Sequence, residues 1–305
     1  MARVDPTKKA LSRLRDLNLS DESEQAELSK ALFHKSNLVV SKAVDLICDY
    51  QLHNLTDHLE KAFSSWLQAD PKGDPGCRAK TSIARTLCEL QRDCQDLYLE
   101  GSKRIQLEKA FGGPVDTAAE LRGICGLGLV RSHYDFVLER LADLLADQEP
   151  TTRALAAQAL LEKGGLEAAA LARLRLGTGE DEPTVILECL TALLVITKER
   201  GLQYCEKYLH SPNHPHWPVA ILALGESRLE QACQRLIDLF EDTVTQESES
   251  QVLEAIALSR LEIGLDFLFQ RVAERQSRGS QTAQELIRRF WGDSATLRRL
   301  DDLLC

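Results

Sequence analysis

The sequence predicts an all-α chain built as an α-solenoid, a superhelix of about seven helical hairpins with a helical cap at each end. Three observations carry this. Leu and Ala dominate the apolar residues and aromatics make up only 5% of the chain, whereas strands favour aromatic and β-branched side chains. One helical skeleton recurs at spacings of 31 to 42 residues, the period of stacked helical pairs. The second helix of each copy carries small residues where helices must approach closely, such as Ala156, Ala157 and Ala159. A single helical pair cannot bury its apolar face, so the copies must stack, each on its neighbours.

The elements follow in chain order. Residues 1–28 read as an N-terminal cap, "KKALSRLRDLNLSDESEQAEL", with Ser20 and Asp21 placed to start a new helix as N-caps. Residues 29–110 hold divergent copies. "KSNLVVSKAVDLICDY" begins its second helix near Val39, and "GDPGCRAKTSIARTLCEL" places Asp74 six residues before Lys80. Residues 111–265 hold the clear copies. "PVDTAAELRGICGLGLV" places Asp116 six before Arg122, and "LLADQEPTTRALAAQALLEKGG" repeats this with Asp147 and Arg153. "GEDEPTVILECLTALLVI" has Glu180 and Ile186 at those places, "HSPNHPHWPVAILALGES" has Ser211 and Trp217, and "TQESESQVLEAIALSRLEIG" has Thr245 and Gln251. Positions 39, 80, 122, 153, 186, 217 and 251 therefore share one register. Residues 266–305 form a C-terminal helical cap, amphipathic with basic outer faces. The stretch 97–116 ends in Gly112, Gly113 and Pro114, which break helix, and is read as a bend within one domain of residues 1–305.

The Asp-x5-Arg pairs Asp116/Arg122 and Asp147/Arg153, the turn prolines Pro150 and Pro183, and the Ala-Ala-x-Ala-Leu second helix resemble the HEAT-repeat family. Among bacterial sequences the pattern is most similar to the short-repeat group that includes the HEAT-like phycobilin lyases. The resemblance implies that Asp116, Arg122, Asp147 and Arg153 bond between adjacent repeats as a ladder. Asp74/Lys80 matches in part, and the copies at 186, 217 and 251 depart from the pair.

Charge narrows the partners. Residues 1–135 hold 19 basic and 20 acidic side chains, residues 136–270 hold 11 and 22, and residues 271–305 hold 7 and 5. An acidic middle disfavours nucleic acid, because phosphate contacts need Lys and Arg. The longest apolar runs, such as "TALLVIT", are too short to span a bilayer, and the N-terminus has no apolar signal segment. Nine cysteines without a CxxC motif fit a reducing compartment, so a cytoplasmic protein is expected.

Several motifs invite a chemical reading. The Gly-rich "RGICGLGLVR" lacks the Lys-Ser/Thr of a phosphate loop, and its glycines fall at the small-residue packing positions. His210, His214 and His216, with Cys205, have a spacing feasible for zinc. Pro212, Pro215 and Pro218 stiffen that turn, so these residues are read as a weak metal candidate only, and no cofactor is assigned. Tyr204 and Tyr208 lie one helical turn apart and Trp217 begins the next helix, a concentration of residues favoured in interface hot spots. "TVILECLTALLVIT" and "PVAILAL" are apolar nearly all round, which points to an apolar groove on the concave side near Leu187, Leu194, Leu222 and Ile256. Arg78, Lys80 and Arg85 offer a basic face to an acidic partner.

No HExxH, GxSxG or P-loop motif occurs. The expectation is a non-catalytic scaffold, not an enzyme, that takes a protein or peptide segment on its concave helix face. The first alternative, by resemblance, is an enzyme-like HEAT protein of the phycobilin lyase type. A di-iron hydroxylase is disfavoured because no His-Glu dipeptide occurs. The second alternative is a metal-dependent binder through the histidine turn.

Overall fold

The computed structural model describes residues 5–19, 21–212, 214–242, 245–274 and 279–304. The expected N-cap Ser20 lies outside them, while Asp21 does cap its helix, its carboxylate accepting from the Ser23 amide. The described chain is helical apart from short turns and one small hairpin, and it divides into two compact units, Met1–Glu162 and Lys163–Cys305. The fold is an all-α solenoid of stacked helical hairpins.

The first unit contains α1 (Pro6–Arg15), α2 (Glu22–Ala31), α3 (Asn37–Asp49), α4 (Thr56–Gln68), α5 (Arg78–Glu89) and α6 (Gln95–Gly101). The strands β1 (Leu107–Ala110) and β2 (Gly113–Asp116) follow, then α7 (Ala119–Arg131), α8 (Val137–Leu145) and α9 (Pro150–Lys163). α3, α5 and α7 stack in series as one layer, and α4 and α6 lie against α5 and α7 as a second. Leu59, Phe63 and Leu67, four residues apart on α4, put one apolar stripe wholly into this core. α1 and α2 rest on α3 and cover the first layer, as a terminal repeat requires.

The second unit contains α10 (Gly165–Gly177), α11 (Pro183–Thr197), α12 (Glu199–Leu209), α13 (Trp217–Glu226), α14 (Glu230–Asp242) and α15 (Gln246–Ser259). It ends with α16 (Glu262–Ala273), α17 (Ser280–Phe290) and α18 (Ser294–Leu304). α11, α13, α15 and α17 stack in series, so the C-terminal segment repeats the hairpin pattern before α18 closes on α16 and α17. The seven register positions read from the sequence all fall in α3, α5, α7, α9, α11, α13 and α15, the second helices of the hairpins.

Small residues set the spacing of these layers. A Cβ on Gly123 would stand 2.4 Å from the Leu155 Cβ, and one on Gly225 would stand 2.5 Å from the Ala255 carbonyl oxygen. The glycines of "RGICGLGLVR" are thus packing positions, Gly128 lying under the Tyr98 ring.

Candidate interaction surfaces

The ladder is the first site the fold assembles. The Arg122 guanidinium donates through Nη1 to Asp116 Oδ2 at 2.6 Å. Its Nε and Nη2 donate to the two oxygens of Asp147 at 2.8 and 2.9 Å, so it bridges one repeat to the next. Asp116 is held below the ordinary carboxylate range by the amides of Gln106 and Ala118 and by Arg122, against the opposing effect of burial. Arg153 donates to the carbonyls of Asp147 and Gln148.

Lys80, expected on an exposed basic face, is fully buried. Its Nζ donates to Asp74 Oδ2 at 3.1 Å and to Gln106 Oε1 at 3.0 Å. It stands at the arginine place of its repeat and does the arginine's work, so it is not available to a partner. Arg85 is exposed and paired with Glu120, and Arg78 is exposed at the start of α5.

Gln106 links this buried network to a feature the sequence reading missed. Residues 107–116 form an antiparallel hairpin, with Leu107 opposite Asp116 and Ala110 opposite Gly113. Gly112, at φ +101°, and Gly113, at φ +134°, adopt backbone conformations at the turn that favour glycine. The base is anchored: Glu108 Oε1 accepts from the Gly76 amide, Gln106 Nε2 and the Thr117 hydroxyl. The tip is not. Phe111 is fully exposed there; Ile105, Leu107 and Val115, at or near the base end, are each half exposed or more.

The histidine turn gathers its rings without forming a metal set. His214 lies 5.7 Å from both His210 and His216, and 5.5 Å edge-on from Tyr208, between ring centroids. Its Nδ1 accepts from the His216 amide at 3.1 Å, so that lone pair is already used. Burial, then the neighbouring His216, His210 and Lys207, lower its pKa. Cys205 is buried, which pushes its thiol up to about 12. Among the described residues no group of three or more His, Cys, Asp or Glu side chains is placed to hold a metal ion. His214 makes the same bond, side chain to the amide two residues on, that Asp116, Asp147 and Glu180 make in their turns.

The aromatic expectations separate. Trp217 is 1% exposed and fills the core at the start of α13, and Tyr208 is buried under the histidine rings with Lys207 over its face. Neither offers its face to a partner. Tyr204 alone is half-buried, with the Arg173 guanidinium 5.0 Å from its ring centre. The apolar-groove residues separate too. Leu194 and Ile256 are wholly buried between stacked helices, Leu187 is half-buried, and Leu222 is exposed. Neighbouring helices cover most of the apolar residues of α11 and α13, while Val195 and Leu222 stay exposed.

No family model matches the sequence, and no curated protein does. Two solved structures are similar at low identity. One is the complex of CpcE and CpcF of phycocyanin lyase from Nostoc sp., 15% identical over 80% of this chain and 92% of that chain, with a TM-score of 0.43. The other is human deoxyhypusine hydroxylase in complex with glycerol, 16% identical over 98% of this chain and 92% of that chain, with a TM-score of 0.28. The names of these two are those of an enzyme and of an enzyme's subunits, and the expectation that this chain is not an enzyme is withdrawn: the absence of HExxH, GxSxG and P-loop motifs does not exclude catalysis. At the level of the fold, the chain is a stack of helical hairpins in which one Asp–Arg–Asp bridge joins adjacent repeats.

Proposed function

We propose that the chain binds a protein or peptide segment of a partner, and that the β1–β2 hairpin makes the contact. One observation supports this above the others: a fully exposed phenylalanine at the tip of a hairpin whose base is fastened by buried hydrogen bonds. Burying one Phe contributes roughly 1.5–3 kcal/mol, and a base already ordered reduces the entropy cost of docking. The described cysteines are free thiols, which supports a reducing compartment, the cytoplasm, as the setting.

Affinity capture from the native host tests the reading, with wild-type and Phe111→Ala chains run in parallel. A protein retained by the wild type, lost by the variant and rebound from purified components is the expected result. Identical retained sets for the two chains would retire it.

A further inference from the structure

A second surface lies in the second unit and does not use the hairpin. α10 and α12 flank a cleft of about 490 Å³, floored by Leu193 and Thr197 of α11. Leu166 and Leu174, eight residues apart on α10, share one face of that helix. They are 66% and 61% exposed, unusual for two leucines in one depression. Opposite them Arg200 and Tyr204 lie one turn apart on α12, and the Arg173 guanidinium carbon sits over the Tyr204 ring, 5.0 Å from its centre.

The charges at this cleft are unlike the others nearby. Arg175 is paired with Glu180, and Arg235 with Glu206. Among the described residues no carboxylate pairs with Arg173 or Arg200, although residues 163–305 carry 22 acidic side chains against 16 basic ones. Carboxylates are plentiful in this unit but absent here. An arginine over an aromatic ring gains cation–π attraction, and guanidinium N–H donors fit a carboxylate two at a time.

We infer that the α10–α12 cleft binds an acidic segment with one apolar face from a partner protein. Arg173 and Arg200 take its carboxylates, and Leu166 and Leu174 take its apolar side chains. The inference rests on the reading that this chain binds protein segments, but not on the hairpin. The surrounding acidic surface repels acidic segments elsewhere, which concentrates specificity at the two arginines.

A random library of peptides of about 12 residues, displayed and selected against the full chain, tests it. The expected selection is rich in Asp and Glu beside Leu, Ile or Phe. A labelled selected peptide then binds the Arg173→Gln/Arg200→Gln double variant about tenfold more weakly or worse, the loss of a charge-assisted bond. It also weakens with Leu174→Ser and with added salt. Arg228→Gln, which removes the same charge from an exposed site elsewhere in the unit, leaves binding unchanged, as does Phe111→Ala. All the substituted side chains are exposed, and circular dichroism confirms that the variants fold. No acidic enrichment, no selected peptide, or full binding by the double variant would overturn the inference. Loss with Phe111→Ala alone would overturn it while leaving the hairpin reading standing.

Discussion

Arg122 joins Asp116 of its own repeat to Asp147 of the next, with three hydrogen bonds of 2.6 to 2.9 Å from one nearly buried guanidinium. Arg122→Leu leaves both carboxylates without their counter-charge in a half-buried place. The expected loss is about 3–5 kcal/mol of folding stability, the cost of breaking a buried pair from one side. Arg85→Leu, at the exposed pair with Glu120, is expected to lose less than about 1 kcal/mol. Urea denaturation of the two variants side by side checks the contrast.

Lys80 is the matching case in the preceding repeat. Lys80→Met strands the buried Asp74 carboxylate, although Asn37 and the amides of Ala79 and Lys80 still donate to it. A large destabilisation is expected, together with looser anchoring of the hairpin through Gln106. Hydrogen exchange at residues 106–117 reads the second effect directly, and unchanged exchange there would break the proposed connection.

Gly225→Ala tests the layer spacing. Its new Cβ would meet backbone, the Ala255 carbonyl, which cannot rotate away as a side chain can. The expected cost is roughly 1–3 kcal/mol, despite the better helix propensity of alanine. A raised melting temperature would show that α13 and α15 have slack between them.

Acid should weaken the histidine turn. The pKa of His214 is lowered from 6.5 in the folded chain, so below 6.5 the unfolded chain takes up a proton before the folded one does. The stability this group supplies is complete above 6.5, declines as pH falls through the window below it, and levels off under the folded value. Melting temperatures between about pH 7.5 and 5.5 measure the slope. His214→Asn, which keeps an acceptor for the His216 amide but does not titrate, should flatten it.

The fold was legible because its repeat rests on local pattern. Seven register positions fell in seven second helices, and Asp116, Arg122 and Asp147, which share that register, are hydrogen-bonded together. Burial was less legible. A lysine in the arginine place reads as surface from its type, yet Lys80 is enclosed because Gln106 and Asp74 satisfy it. The hairpin was missed because Glu108, Lys109 and Ala110 have no strand alternation, and Gly112, Gly113 and Pro114 read only as a helix break. The role of His214 was hidden by the ladder register, which pointed to Ser211. His214 stands three residues before α13 begins, as Asp116 stands three before α7, and it is His214 that accepts the amide two residues on.

The serial stacks have a kinetic consequence. α11, α13, α15 and α17 each touch the next layer and little beyond it, so contacting residues are close in sequence. Chains of this kind fold quickly, because each loop closed before a contact forms is short. Folding of the second unit is therefore expected to begin at whichever adjacent pair of layers forms first and to spread outward one hairpin at a time. The last hairpin gained is also the first to fray, which places the earliest unfolding at α17 and α18 rather than at Trp217 in the middle of its stack.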